Sequence, residues 1–178
     1  RRLKRSMRSK TAVGLKKNKP ISVKQLFMEE LIVNLTVWDR IFPNLAKMVI
    51  AFILALPIAI NREKSTRIMG LRTFPLVAVA SCGFMLMATA MIGANLDATS
   101  RVLQGLITGI GFIGGGAILK NDSGVKGTAT AASIWGTGAL GASIAFGYLD
   151  IALIITVVTF VVLRLFTPLK VDVEKDEA

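Results

Sequence analysis

The chain has 178 residues, 53% of them hydrophobic, and a formal net charge of +11 from 22 basic and 11 acidic side chains. It contains no histidine and a single cysteine, Cys82, which excludes an intramolecular disulfide, His-ligated zinc and the Ser-His and Cys-His nucleophile pairs. The apolar residues fall into uncharged blocks long enough to cross roughly 30 Å of hydrocarbon, with no polar stripe at helical spacing. The expected fold is therefore an all-α membrane protein, a compact bundle of about five transmembrane helices with a glycine-rich centre.

Residues 1–43 form a basic N-terminal region, holding eleven of the 22 basic side chains. Such a charge can signal nucleic acid. Here most of the remaining basic residues flank the apolar blocks, as the positive-inside rule requires. The partner expected is a bilayer with anionic phospholipids, and not nucleic acid. Residues 21–42 read as an interfacial amphipathic helix with Leu26, Leu31, Leu35 and Trp38 on one face, and Pro43 is expected to break the chain.

The transmembrane domain is placed at 44–169, with spans at about 44–60, 73–92, 102–119, 128–146 and 151–166. Lys47 is expected to snorkel to the interface and Pro57 to bend the last turn of the first span. Thr99 or Ser100 is expected to cap the third span. The stretch 120–124 reads as a turn. Trp38 and Tyr148 read as interfacial anchors, Trp135 as packed in the bundle. Pro168 should end the fifth span, and residues 170–178 form a short acidic tail. The loops after spans one and three, with the C-terminal flank, carry nine basic residues, against Arg101 alone on the other side. The nine should face the cytoplasm. With five spans, the basic tail then lies on the opposite side, unless a further span or half-span lies upstream.

Twelve of the 16 glycines lie between Gly105 and Gly147. Helix-interior glycine is unfavourable in water, but in lipid small residues let backbones approach closely. Gly105 and Gly109 make one G-x-x-x-G step, on a face shared with Phe112 and Gly116; Gly111 and Gly115 make a second on another face. Spans three and four are therefore expected at the bundle centre. The dense run Gly114-Gly115-Gly116 keeps open an ion path or a helix break as an alternative to packing.

Three motifs occur in order: Gly70-Leu71-Arg72-Thr73, then 109–118 with its glycine run, then Val125-Lys126-Gly127-Thr128 continuing to Trp135. In these the chain resembles the MgtC/SapB family of bacterial inner-membrane proteins across about 44–166. The resemblance implies five spans with a cytoplasmic C-terminus, an association with growth at low magnesium, and virulence in pathogens. It further implies regulation of membrane energetics through the F-type ATP synthase, with magnesium or other cation transport as the alternative. It singles out the polar residues Arg62, Glu63, Arg72, Thr73, Asp97, Arg101, Asp122, Thr128 and Thr130. The sequence departs from the family pattern at Ala59, Asn61, Phe74 and Gly105, and residues 170–178 stand where larger members carry a soluble domain.

No Asp, Glu, Lys or Arg lies within the second or fourth span, or within 102–119. A cation carrier usually holds paired ionisable groups or broken helices at mid-membrane, so a regulator that binds a membrane protein partner, or a second copy of itself, is favoured over a channel. No enzymatic activity and no cofactor are expected. The one metal weighed is a hydrated Mg2+ shared by Glu63 and Asp122. Against it stands the plainer reading of Asp122 as a turn residue and of Glu63 as half of a surface ion pair. Backbone carbonyls near 114–116 are the other conceivable ligands.

Overall fold

A computed structural model describes residues 23–66, 69–93, 95–121 and 124–176. Five helices appear in chain order: α1 (Val23–Thr66), α2 (Thr73–Ile92), α3 (Leu96–Gly115), α4 (Thr128–Phe146) and α5 (Leu149–Asp176). Between α3 and α4 lies a small antiparallel hairpin, β1 (Leu119–Asn121) and β2 (Gly124–Lys126), in register Leu119↔Lys126 and Asn121↔Gly124. Residues 1–40 and 41–178 are two separate units; the packing below concerns the second. Among the described residues three helical segments are long and apolar enough to cross a membrane: Val37–Ser65, Thr73–Ile92 and Leu149–Phe166. With 20 and 19 residues, α3 and α4 have comparable length but carry more glycine and hydroxyl groups. The bundle is thus the all-α membrane fold expected from the composition.

Several boundaries differ from the sequence reading. Pro43 does not break the chain, because both Pro43 and Pro57 lie inside α1. A helix-interior proline forfeits one backbone hydrogen bond, but in apolar surroundings continuing the helix is what satisfies the neighbouring amides. α5 likewise runs past Pro168 to Asp176, so the acidic tail is largely helical. The side chains of Leu26, Leu31 and Leu35 lie outside the described residues. The cap of α3 is Asn95, whose Oδ1 accepts the Ala98 N–H at 3.0 Å. The hydroxyls of Thr99 and Ser100 instead donate back to the carbonyls of Asn95 and Asp97. Asparagine is among the best N-caps, and Asp97 then sits in the first turn, where the helix dipole favours it. At its other end α3 stops at Gly115, earlier than expected, since three successive glycines propagate a helix poorly and the hairpin begins four residues later.

The core has two layers. In one, Ala51 and Ala55 of α1 meet Cys82 and Met85 of α2, Leu140 and Ala145 of α4 and Ala152 of α5. In the other, Ile58 and Ala59 meet Phe74, Val77, Ile110, Ala117, Ile134 and Leu163. The direction of α1 is thereby fixed as antiparallel to α4: Ile58 shares a layer with Ile134, whereas Lys47 reaches the far end of α4. Burial is heaviest on α4, which is flanked by α2, α3 and α5. The centre is therefore α4 alone; α3 buries only Ile110 and Gly114 and lies at the edge.

Which glycines pack follows from that placement. An added Cβ at Gly141 would run into the Ala78 carbonyl of α2, at Gly138 into the Ile110 side chain of α3, and at Gly114 it would come within 3.1 Å of the Ala131 carbonyl oxygen. Around Gly105, Gly109, Gly111 and Gly115 nothing lies within 4 Å. The expected tight face of Gly105, Gly109 and Gly116 is therefore not a packing contact among the described residues. The closest neighbours of a Cβ at Gly116 belong to its own helix end. Trp135 is likewise 54% exposed and not packed inside, because the neighbouring helices take the other faces of α4.

The antiparallel order gives a direct topological test. Cys82 is fully buried and so silent to a thiol reagent. Ser65→Cys and Leu96→Cys should react with a membrane-impermeant maleimide from opposite sides, Ser65→Cys from the basic-loop side. Labelling of both from one side would refute the arrangement. Leu96, 82% exposed, is used in place of Asn95, whose loss as a cap would cost about 1 kcal/mol.

Candidate functional site

The polar residues singled out in the sequence divide between the two ends of the bundle. At the basic-loop end, Arg62 is only 3% exposed, and its Nη2 donates to Asn61 Oδ1 at 2.8 Å. Arg62 follows Ile58 by one turn of α1, and Thr130 precedes Ile134 by one turn of α4. Since those isoleucines share a layer, both polar groups cover its end. The Thr130 hydroxyl is buried with no hydrogen-bond partner among the described residues. Sequence reasoning singled out both residues but did not foresee their burial; the helical spacing from Ile58 and Ile134 was the available signal.

Glu63 is exposed, and its carboxylate has a structural task. Oε2 accepts the N–H of Leu71 at 3.0 Å, tying the end of α1 to the residues before α2. Gly70 lets this happen: an added Cβ would lie 2.8 Å from the Glu63 Cα. The first motif, Gly-Leu-Arg-Thr, is thus a loop closure. Arg72 is exposed at the start of α2 and supplies no side-chain cap; Thr73 is half-buried. Thr128 opens α4 after Gly127, exposed to its surroundings. Asp122, the proposed second ligand of a shared ion, lies outside the described residues. Among the described residues no group of three or more His, Cys, Asp or Glu side chains gathers.

At the opposite end Asp97 and Arg101 are exposed on the first turns of α3. Here Lys47 does not snorkel outward; its Nζ donates to the Ala145 carbonyl at 2.7 Å. The carbonyls of a helix's last turn have no intrahelical donor and carry the negative end of its dipole, so the ammonium completes the C-terminus of α4. No local pattern announces a contact between residues 98 apart.

The glycine run ends a helix instead of opening one. The N–H groups of Gly116, Ala117 and Ile118 donate to the carbonyls of Phe112, Gly114 and Gly115, so those oxygens are engaged in closing the last turn of α3. Gly111 and Gly115, with Thr108 and Phe112, make an exposed stripe on α3. Phe112 is 86% exposed.

Among the described residues the bundle is apolar, with its charges gathered at the two ends and hydroxyls and glycines between helices, as a membrane protein requires. Residues 48–171 match the model of the MgtC family, and the chain belongs to that family. SrpB of Synechococcus elongatus is 38% identical over 70% of this chain and 75% of its own length. MgtC of Brucella abortus (strain 2308) is 34% identical over 75% of this chain. YhiD of Escherichia coli (strain K12), whose name assigns it provisionally to magnesium transport, is 32% identical over 67% of this chain. The chain spans 55% and 59% of the length of the last two. No solved structure matches it.

Proposed function

We propose that this protein is a regulator in the bacterial inner membrane that acts during adaptation to low magnesium by binding a larger membrane complex, such as the F-type ATP synthase. On this reading it does not itself move magnesium. The observation that carries it is the distribution of charge. Neither α2 nor α4 contains an Asp, Glu, Lys or Arg, α3 carries only Asp97 and Arg101 in its first two turns, and Lys47 and Arg62 of α1 sit at opposite ends of the bundle. Mid-membrane carboxylates or unwound helices are what cation carriers use. The carbonyls of Phe112, Gly114 and Gly115 accept hydrogen bonds from the residues that follow, which leaves a carbonyl filter without an unwound segment. The exposed α3 stripe of Thr108, Gly111, Phe112 and Gly115 offers a partner helix the close approach that small residues allow.

Two measurements test this reading. Purified protein in liposomes with an entrapped magnesium dye should give no flux above empty vesicles, and Glu63→Gln should leave that result unchanged; robust flux abolished by Gly115→Leu would overturn the proposal. Affinity isolation from native membranes in mild detergent should recover the partner complex. Gly111→Leu should lower that recovery by about tenfold, the scale of a central interface residue, without altering the protein's own melting.

A further inference from the structure

Between α2 and α3 runs an open groove of about 750 Å³, within the size of pockets that take small ligands. It exists because α3 presents Gly105 and Gly109 to it, where an added Cβ would meet nothing within 4 Å. Its walls are apolar, among them Leu76 and Phe84 of α2. Its polar side chains are unevenly placed: Arg72 and Thr73 stand together at the basic-loop end, and Ser81 alone lies further along. There α2 begins without a side-chain cap, so the helix dipole adds to the arginine charge.

We propose that this groove holds an acyl chain of an anionic phospholipid from the leaflet on the basic-loop side, with the lipid phosphate on Arg72. Three observations fit that occupant. The charge at the mouth is complementary to a phosphate, and Arg72 offers it forked donors. From Arg72 to Phe84 the groove rises about 18 Å at 1.5 Å per residue, close to the roughly 15 Å of hydrocarbon in one leaflet. The end that carries the arginine is the end the positive-inside rule assigns to the cytoplasmic, anionic leaflet. The groove also lies apart from the α3 stripe of Gly111 and Gly115, so this inference stands or falls separately from the regulatory reading.

The test uses the full chain in phosphatidylcholine vesicles doped with a photoactivatable phosphatidylglycerol or, in parallel, its phosphatidylcholine analogue. Cross-links mapped by peptide mass spectrometry should concentrate on α2 and α3 residues of the groove. Gly109→Leu should fill the groove and bring both lipids down to the level of the other lipid-facing helices. Arg72→Gln should lower labelling by phosphatidylglycerol about fivefold, the change given by about 1 kcal/mol for one basic group near the surface, and leave phosphatidylcholine labelling unchanged. Labelling spread evenly over all helices and indifferent to both variants would overturn the proposal. So would efficient disulfide dimerisation of Gly105→Cys in membranes with groove labelling lost, because the occupant would then be a second copy of the chain.

Discussion

Gly141→Leu is expected to abolish recovery of folded protein, whereas Gly109→Leu is expected to accumulate and melt like the parent. The two glycines lie on neighbouring helices and look alike in sequence. At Gly141 an added Cβ would penetrate the Ala78 carbonyl, and would lie 2.9 Å from the Ser81 Cβ and 3.0 Å from the Ala78 carbonyl carbon. A backbone carbonyl in a packed helix cannot rotate away, so α2 and α4 must separate. Even Gly141→Ala should cost about 3 kcal/mol, the upper end of overpacking in a close-packed core. Gly138→Ala should be milder, since its obstacle is the end of the Ile110 side chain, which has other rotamers. At Gly109 nothing stands in the way. Size-exclusion profiles and thermal melts in detergent should therefore rank the variants Gly141 worst, Gly138 next and Gly109 near the parent. A Gly109→Leu protein as unstable as Gly141→Leu would mean that α3 is buried.

That contrast also shows how far the sequence could be read. The spans themselves were legible, because a membrane demands long uncharged apolar blocks: 73–92 and 128–146 coincide with α2 and α4. The glycine steps signalled close packing, but a G-x-x-x-G spacing fixes only which residues share a face. It does not say whether that face meets another helix. Gly105 and Gly109 line an open groove, while among the glycines that do pack Gly138 and Gly141 are three apart on α4 and Gly114 stands alone on α3. Pro43 misled for a definite reason: it would break a helix in water, but the membrane leaves the chain no better way to satisfy its amides. The hairpin escaped notice because its strands are three residues each, too short for any alternation to register. Of the site, Arg62, Glu63, Gly70 and Thr130 were marked out by motif. Their tasks, burial at a layer end and closure of the α1–α2 connection, depend on contacts that spacing alone does not contain. Lys47 at the end of α4 is the extreme case, a bond across 98 positions.

The second large effect is expected at Gly127, where two constraints coincide. Its φ is +90°, and an added Cβ would penetrate the Ala117 carbonyl, with the carbonyl carbon at 2.9 Å. This is the corner through which the hairpin feeds α4, and the Gly127 carbonyl accepts the N–H of Ala131 in the first turn of that helix. A left-handed backbone costs a non-glycine residue about 1–2 kcal/mol, and the clash adds about 1–3 kcal/mol. Gly127→Ala should thus lower stability by about 2–5 kcal/mol on those two terms. Gly147 separates them, because its φ is +88° but nothing lies within 4 Å of an added Cβ. Gly147→Ala should lose only the conformational term, and Gly147→Asn should recover part of it, since asparagine tolerates the left-handed region. At Gly127 asparagine should recover no more than that same part, because it carries the Cβ that meets Ala117 just as alanine does. Near-complete rescue of Gly127 by asparagine, read from parallel melting curves of the four variants, would show that backbone conformation alone holds the glycine there and that the contact with Ala117 is slack.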